Sequence, residues 1–252
     1  MILRKVCLSL ALFSPVVFSN NSVEVKYLKQ ANNNEKNAYE LIVESGVNEQ
    51  FTELVNALFP FEEPMKLVYG GSEGPLYDPS NHTVYIPYAF VLEAQHYFSK
   101  HRSKSEVDQG AIDTLMHTLL HEAGHALVSD NGIPILGKEE DAVDNLATII
   151  MLQYLDNGAE AAINAADMFS YESEEGGEYY DFGEYAGVHS FDMQRYFATL
   201  CLVYGSDPEG NKGLLDEIEE DYLPEQKETC EETYLQLDYN WHEYLKGDAK
   251  GD

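Results

Sequence analysis

The stretch that decides the fold runs from Val107 to Ser129 and reads VDQGAIDTLMHTLLHEAGHALVS. Its apolar residues recur at helical spacing between Ile112 and Leu127, which predicts one long helix. The next segment, 130–137 (DNGIPILG), ends that helix because it contains glycine and proline. A second helix is predicted from Lys138 to Leu155, and the intervening segment is long enough for the chain to turn back.

The first helix contains an HExxH pattern, His121-Glu122-Ala123-Gly124-His125. Histidines at positions i and i+4 lie one turn apart on the same helix face, so both imidazoles can reach one metal ion. Glu122 lies further around the helix axis, beside the ion, where its carboxylate can act as a base on metal-bound water. Gly124 costs about 1 kcal/mol relative to alanine inside a helix. A close approach of another backbone would explain that cost.

A catalytic zinc site requires a third protein ligand and one open position. A third histidine six residues beyond the motif is excluded, because Asn131 occupies that position. We favour Glu140 in the second helix, with Glu139 and Asp141 as alternatives, since each lies one step around the helix. Asp144 lies one turn after Glu140 in an apolar stretch. Its carboxylate can accept the free ring N–H of a ligand histidine and so fix the tautomer.

Residues beyond the two helices are candidates for stabilising the negative oxygen that forms when a carbonyl is attacked. His189, Arg195 and Tyr185 have suitable side chains, and we count His189 with Glu122 as a catalytic candidate. Arg195 could equally pair with a carboxylate. His117 lies one turn before the motif, and we expect it to be a buried histidine of the core.

The rest of the chain alternates short strands with helices. An acidic, tyrosine-rich stretch, 171–185, is predicted to be a surface loop. The glycine- and proline-rich stretch 70–80 is also predicted to be a loop, and Asn32–Asn34 is predicted to be a turn. Pro87 cannot donate to a ladder, so it predicts either an edge strand or the end of a strand. The predicted strands are 23–28, 65–69 and 83–90, and the further helices are 47–59, 159–169, 189–204 and 230–245.

The N-terminal segment, 1–19, has a short basic region followed by a mostly apolar run, which predicts a signal peptide. Cleavage would leave Asn20 as the first residue and would remove Cys7. We therefore expect a secreted or periplasmic protein with no stable membrane insertion after cleavage. Cys201 and Cys230 remain, an even number in an oxidising compartment, so a disulfide between them is predicted.

The charge of the chain excludes several classes of partner. The chain has 15 basic and 45 acidic residues, a formal net charge of −30. Such a field repels phosphate backbones and anionic bilayers, so we expect neither a nucleic acid nor a membrane surface as a partner.

Three stretches of the chain occur together in one pattern: HEAGHAL at 121–127, IPILGKEEDAVDNLA at 133–147 and HSFDMQRYFATLCLVYGSDP at 189–208. With Cys230 and Trp241 after them, they resemble a family of secreted bacterial proteins of unknown function that is described as metallopeptidases of the gluzincin type. The resemblance covers roughly residues 39–245. It implies an α+β, mostly helical, zincin-like fold, with a small mixed sheet beside the HExxH helix and a second ligand-bearing helix.

The resemblance also implies a single metallopeptidase domain over 20–252, one zinc ion per chain and a peptide or protein substrate. The predicted edge strand, Thr83–Phe90, would hold that substrate by strand addition. We therefore expect an exported zinc-dependent metallopeptidase, in which zinc-bound water is activated by Glu122. Two alternatives remain open: a non-catalytic, zinc-stabilised secreted binding protein, and an amidase that acts on cell-wall peptides.

Overall fold

The structure is a computed structural model that describes residues 23–175, 180 and 182–246. These residues are mostly helical and include a four-stranded mixed sheet, which confirms the predicted α+β class. The predicted signal peptide, 1–19, lies outside the described residues, as does part of the predicted loop 171–185. None of the helices in the described part combines the length and the hydropathy that a membrane span requires.

The elements follow one another in the order β1-α1-α2-β2-β3-β4-α3, and six further helices complete the described part of the chain. The strands are β1 (Glu24–Tyr27), β2 (Lys66–Tyr69), β3 (Leu76–Asp78) and β4 (Thr83–Ile86). The helices are α1 (Asn33–Ser45), α2 (Val47–Leu58), α3 (Tyr88–His101), α4 (Lys104–Asn131), α5 (Glu139–Tyr154), α6 (Gly158–Ser173), α7 (Phe182–Tyr185), α8 (Asp192–Ser206) and α9 (Leu223–His242).

The sheet has the strand order β1-β2-β4-β3. β1, β2 and β4 run parallel to one another, and β3 pairs with β4 in the antiparallel direction, with Tyr77 opposite Val84. Leu67, Val84 and Ile86 are fully buried, so the middle of the sheet belongs to the main core. In that core the sheet packs with α2, α4 and α5.

Two stretches of this sheet differ from expectation. The stretch 83–90 is not an edge strand, because β4 lies between β2 and β3; the alternative of a strand end is correct, since β4 ends at Ile86, directly before Pro87. Pro87 has φ −68° and caps α3, so the residues after it are helical. The stretch 70–80, predicted to be a loop throughout, contains the edge strand β3. A strand of three residues is too short for alternation to reveal it.

Two predicted turns or loops also contain helix. Asn32 caps α1 rather than forming a turn, since its side chain accepts the backbone N–H of Glu35 at 3.0 Å. In the acidic stretch 171–185, α6 continues to Ser173 and the short α7 covers Phe182–Tyr185. The other predicted helices are present with shifted ends.

The close packing of α4 against α5 determines the arrangement of the candidate site. Gly132, with φ +58°, ends α4, and the chain then returns as α5. A Cβ atom built at Gly124 would lie 2.9 Å from Cβ of Val143 and 3.3 Å from Cδ2 of Leu146. The two helices therefore touch where α4 lacks a side chain, which explains a glycine inside a helix.

A disulfide joins the last two long helices. Cys201 on α8 and Cys230 on α9 form an S–S bond between residues 29 apart in the sequence. Both residues are buried, in a second apolar cluster that includes Ala166, Tyr196 and Leu200. The bond fixes α9 to α8, and α8 in turn carries a residue of the candidate site.

Gly124→Ala should lower the free energy of unfolding by about 1–3 kcal/mol, because the added methyl group overlaps Val143. The overlap must outweigh a helix-propensity gain of about 1 kcal/mol. Gly137→Ala is the matched control, since a Cβ there meets nothing within 4 Å. Urea unfolding measures both variants, and equal stability of Gly124→Ala and the wild type would contradict the close approach.

Replacing Cys201 and Cys230 together by serine should reduce stability by about 3–4 kcal/mol, the loop-closure value for residues 29 apart. Thiol titration of the denatured, unreduced wild-type chain should find neither sulphur free. Two titratable thiols in the exported protein would contradict the pairing.

Candidate metal centre

Three side-chain atoms from α4 and α5 meet at one point. Nε2 of His121, Nε2 of His125 and Oε2 of Glu140 lie 3.2 Å from one another in each of the three pairs. Four tetrahedral ligands at roughly 2.0–2.1 Å from a zinc-sized ion lie about 3.3–3.4 Å apart. Among the described residues, this is the one group of His, Cys, Asp and Glu side chains whose ligand atoms cluster closely enough to hold an ion.

The outer nitrogen of each of these imidazoles faces a carboxylate. His121 Nδ1 lies 2.7 Å from Oδ1 of Asp144, and His125 Nδ1 lies 2.8 Å from Oε1 of Glu139. Nδ1–H donates to the carboxylate in each case, so the neutral ring presents an Nε2 lone pair to the centre. Two lone pairs and a carboxylate oxygen that face one another require a cation between them. The donor set therefore fits a metal ion.

The carboxylate of Asp144 also accepts a two-pronged contact from Arg195 on α8. Nε and Nη2 of Arg195 donate to its two oxygens at 2.8 and 3.0 Å. The guanidinium packs over the ring of Phe169 at 3.9 Å from the ring centroid. Burial raises the pKa of Asp144, but its hydrogen bonds with His121 and Arg195 outweigh burial and hold the pKa well below its usual range. Asp144 is therefore a fixed anion behind His121.

The pKa values of the centre reflect a surplus of donors around one carboxylate. Hydrogen bonds from His121, His125 and His189 hold the pKa of Glu140 far below its usual range. Burial lowers the pKa of His121, but its contacts with Asp144 and Glu140 outweigh burial and raise the pKa to about 9. The carboxylates around the two imidazoles therefore favour positive charge at the centre.

Glu122 lies beside the three ligand atoms and is 6% exposed. Burial raises the pKa of its carboxyl group, while the backbone N–H of Tyr77 is close enough to lower it. The edge strand β3 thus touches the one carboxylate of the HExxH motif that faces the cleft. A raised pKa suits a group that must take up and release a proton near neutral pH.

A cleft of about 810 Å³ opens over the centre. Its lining includes Pro75, Leu76 and Tyr77 of β3 and its flanks, and Val188 and His189 from the segment before α8. His189 Nε2 lies 3.0 Å from Oε2 of Glu140, and the side chain is 51% exposed. The volume is that of an ordinary ligand site, and the lining includes His121, His125 and Glu140.

The segment that carries His189 is attached to the start of α5. Nζ of Lys138 donates to the backbone oxygen of His189 at 2.8 Å, and the hydroxyl of Ser190 donates to Asp141 at 2.9 Å. These two contacts hold the backbone directly after the imidazole. His189 therefore projects into the cleft from an anchored segment.

The structure brings together most of the residues that the sequence singled out. Among the three alternatives for the third ligand, Oε2 of Glu140 faces the two Nε2 atoms, Glu139 contacts His125 from outside, and Asp141 turns to Ser190. Tyr185 is apart from the cleft lining and contacts Phe191, with ring centroids 5.2 Å apart.

His117 is buried, as expected, and its Nε2 lies 3.4 Å from the hydroxyl of Thr148. Burial lowers the pKa of His117 to about 4, so this ring is neutral at pH 7. A neutral, buried imidazole one turn from the motif contributes to the packing behind the centre.

The sequence did not indicate two contacts of the site. The first is Tyr77, whose strand is too short to be recognised and whose contact with Glu122 involves only its backbone. The second is the link between Arg195 and Asp144, which joins residues 51 apart in the sequence. The sequence shows that Arg195 is basic, but it does not show which of the many carboxylates Arg195 pairs with.

Comparison with known proteins places the chain in a family. The model of a family described as "DUF4344: Putative metallopeptidase" matches residues 27–245, which is most of the chain, so the chain belongs to this family. No curated protein matches the chain. No solved structure matches it either. The family confirms the resemblance drawn from the HEAGHAL, IPILGKEEDAVDNLA and HSFDMQRYFATLCLVYGSDP stretches, and a metallopeptidase family implies a bound metal.

Substitutions at the three carboxylates of α5 should separate their roles. Glu140→Gln should abolish stoichiometric metal binding, because it removes the oxygen that faces both Nε2 atoms. Asp141→Asn is the matched control and should bind metal like the wild type. Glu139→Gln should keep one metal per chain with about 10-fold weaker affinity, as expected for the outer partner of a ligand histidine.

Native mass spectrometry after addition of zinc, with a chelator competition for affinity, measures all three variants. His121→Ala should lose the metal as Glu140→Gln does. Loss of metal in Asp141→Asn, with retention in Glu140→Gln, would show that the third ligand is wrongly assigned.

Proposed function

We propose that the chain is an exported, zinc-dependent metallopeptidase that hydrolyses peptide bonds. One zinc ion per chain would be held by His121, His125 and Glu140. The observation that carries this proposal is the triangle of ligand atoms at 3.2 Å beside a buried Glu122, open to a cleft. Two imidazoles and one carboxylate suit zinc, and three protein ligands are the number found in catalytic zinc sites.

Bound zinc would polarise the carbonyl of the scissile peptide and lower the pKa of water at the site. Glu122 takes a proton from the attacking water as the water oxygen bonds to the carbonyl carbon. Glu122 then delivers that proton to the amide nitrogen as the C–N bond breaks, so one water is added and two chain ends form. Burial raises the pKa of Glu122, which favours the protonated carboxyl group that exists between the two transfers.

The oxygen of the attacked carbonyl gains negative charge during this reaction. His189 projects into the cleft from an anchored segment and is the candidate donor to that oxygen. Arg195, the second candidate from the sequence, instead orients Asp144 through two hydrogen bonds. Asp144 and Glu139 in turn hold the rings of His121 and His125, which keeps the ligand nitrogens in place.

The substrate would bind along β3. β3 is the last strand of the sheet, and Leu76 and Tyr77 line the cleft. An extended peptide can add to such an edge through main-chain hydrogen bonds. We therefore assign strand addition to β3 and not to the stretch 83–90, because β4 is paired with a strand on each side and has no free edge.

Export and domain organisation belong to the same proposal. A signal peptide at 1–19 would direct the chain to a secreted or periplasmic location. The pairing of Cys201 with Cys230 supports an oxidising compartment. The family match extends over most of the region 20–252, which supports one metallopeptidase domain after cleavage.

A non-catalytic, zinc-stabilised binding protein would use a closed metal site with a fourth side chain. His189 is the nearest candidate, since its Nε2 lies 3.0 Å from Glu140. Within the described residues, the ligand group nevertheless consists of His121, His125 and Glu140 alone. A three-residue group with an open side favours the enzyme.

Glu122→Gln should keep one zinc per chain and lose at least about 100-fold in kcat/KM, because the amide cannot accept the proton. Glu231→Gln on the exposed face of α9 is the control and should leave both properties unchanged. Activity is measured with a quenched-fluorescence peptide library and zinc content by mass spectrometry. Turnover by Glu122→Gln at the wild-type rate would contradict the mechanism.

A further inference from the structure

Three adjoining cavities form one groove through the metal centre, which we call the substrate groove. The central cleft shares Tyr77 and Pro79 with a cavity of about 320 Å³. It also shares Pro75, His121, Glu122 and His189 with a cavity of about 220 Å³. We call these two outer cavities the ends of the groove, and a bound peptide that reached them would contact residues beyond the scissile bond.

Both ends of the substrate groove carry carboxylates. The first end is lined by Glu62, Glu63 and Asp130, of which Asp130 lies 3.6 Å from a ring nitrogen of His82. Glu62 and Glu63 are exposed to solvent. This end therefore presents at least two carboxylates to an incoming peptide.

The second end is lined by Glu172, with Asp192 and Glu93 close by. Burial raises the pKa of Glu172, and the carboxylates of Asp192 and Glu93 raise it further, while the nearby Arg195 and His189 only partly oppose them. The carboxylates of Asp144, Asp192 and Glu172 lie around the one guanidinium at this end, that of Arg195, so carboxylates outnumber it.

The cations of the groove are already engaged. Apart from histidines, the basic side chains that line it among the described residues are Lys138 and Arg195. Nζ of Lys138 donates to the backbone oxygens of His189 and Gly187, at 2.8 and 3.4 Å. Both oxygens of Asp144 accept from Arg195. Arg195 attracts Glu172 as well, but its single charge is shared among the carboxylates of Asp144, Asp192 and Glu172, and Lys138 is engaged at the centre of the groove.

A bound divalent ion would change the balance only at the centre, where its two charges offset those of Glu122 and Glu140. The ends of the substrate groove would stay negative, within a chain of net charge −30. Clefts lined by one sign of charge concentrate ligands of the opposite sign and raise their association rates. Complementary charge mainly sets specificity and on-rate.

We propose that the substrate groove selects cationic peptides, with basic residues on both sides of the bond that faces the metal centre. The proposal rests on the proposed function, since it names the substrate class of the same site. Lysine or arginine side chains flanking the cleaved bond would meet Glu62 and Glu63 at one end and Glu172 at the other. A peptide with acidic flanks would be repelled at both ends.

Two fluorescent peptides with the same uncharged centre, one with Lys flanks and one with Glu flanks, test this selection. Their Kd values are measured by anisotropy on zinc-loaded Glu122→Gln protein, which need not turn over. The Lys-flanked peptide should bind at least about 10-fold more tightly in about 0.05 M NaCl. The difference should shrink to about twofold in about 1 M NaCl, because salt screens exposed charges. Equal binding, or tighter binding of the Glu-flanked peptide, would overturn the proposal.

A pair of double variants assigns the effect to the groove. Glu62→Gln/Glu63→Gln should weaken binding of the Lys-flanked peptide by at least about twofold at low salt. Glu231→Gln/Glu232→Gln removes the same charge from the exposed face of α9, away from the groove, and should change the Kd less. Equal effects of the two double variants would overturn the assignment to the groove.

Cleavage of the same peptides by the wild-type protein separates this proposal from the proposed function. Preferential binding of the Lys-flanked peptide without any cleavage would contradict the peptidase and support the charge selection. Cleavage of both peptides with equal kcat/KM at low salt would support the peptidase and overturn the selection.

Discussion

The contact between α4 and α5 at Gly124 is the constraint on which the rest of the site depends. Because position 124 has no side chain, Val143 and Leu146 reach the surface of α4. At that separation the first two turns of α5 lie opposite His121 and His125. One steric requirement, met by a residue that is costly in a helix, thus brings the ligand atoms within reach of one ion.

Around this contact, the polar groups are arranged in two layers. Nε2 of His121, Nε2 of His125 and Oε2 of Glu140 face inward, and Asp144 and Glu139 hold the outer sides of the imidazoles. Buried charges are costly unless they are paired, and here each is paired except at the centre. A metal ion would complete the pairing, so its binding would be coupled to the stability of the fold.

The C-terminal helices support the site from behind. Arg195 on α8 fixes Asp144 and packs over Phe169 on α6, while the disulfide attaches α8 to α9. The stretch 189–208, which carried part of the family resemblance, therefore serves the site at two points, through His189 at the cleft and Arg195 behind Asp144. A family pattern that extends far beyond the HExxH motif has a physical basis in these contacts.

The sequence by itself determined the HExxH helix, its end close to the segment 130–137 and the second helix with its acidic first turn, because these follow from local periodicity and capping. It left three carboxylates as candidates for one position. Successive helix residues point about 100° apart, so only the packing of α5 on α4 directs Glu140 inward, Glu139 to His125 and Asp141 to Ser190. The tertiary structure alone also decided that β3 forms the cleft edge and that Arg195 pairs with Asp144. Those contacts join segments that are distant in the sequence, and local sequence patterns do not predict which residues pair over such distances.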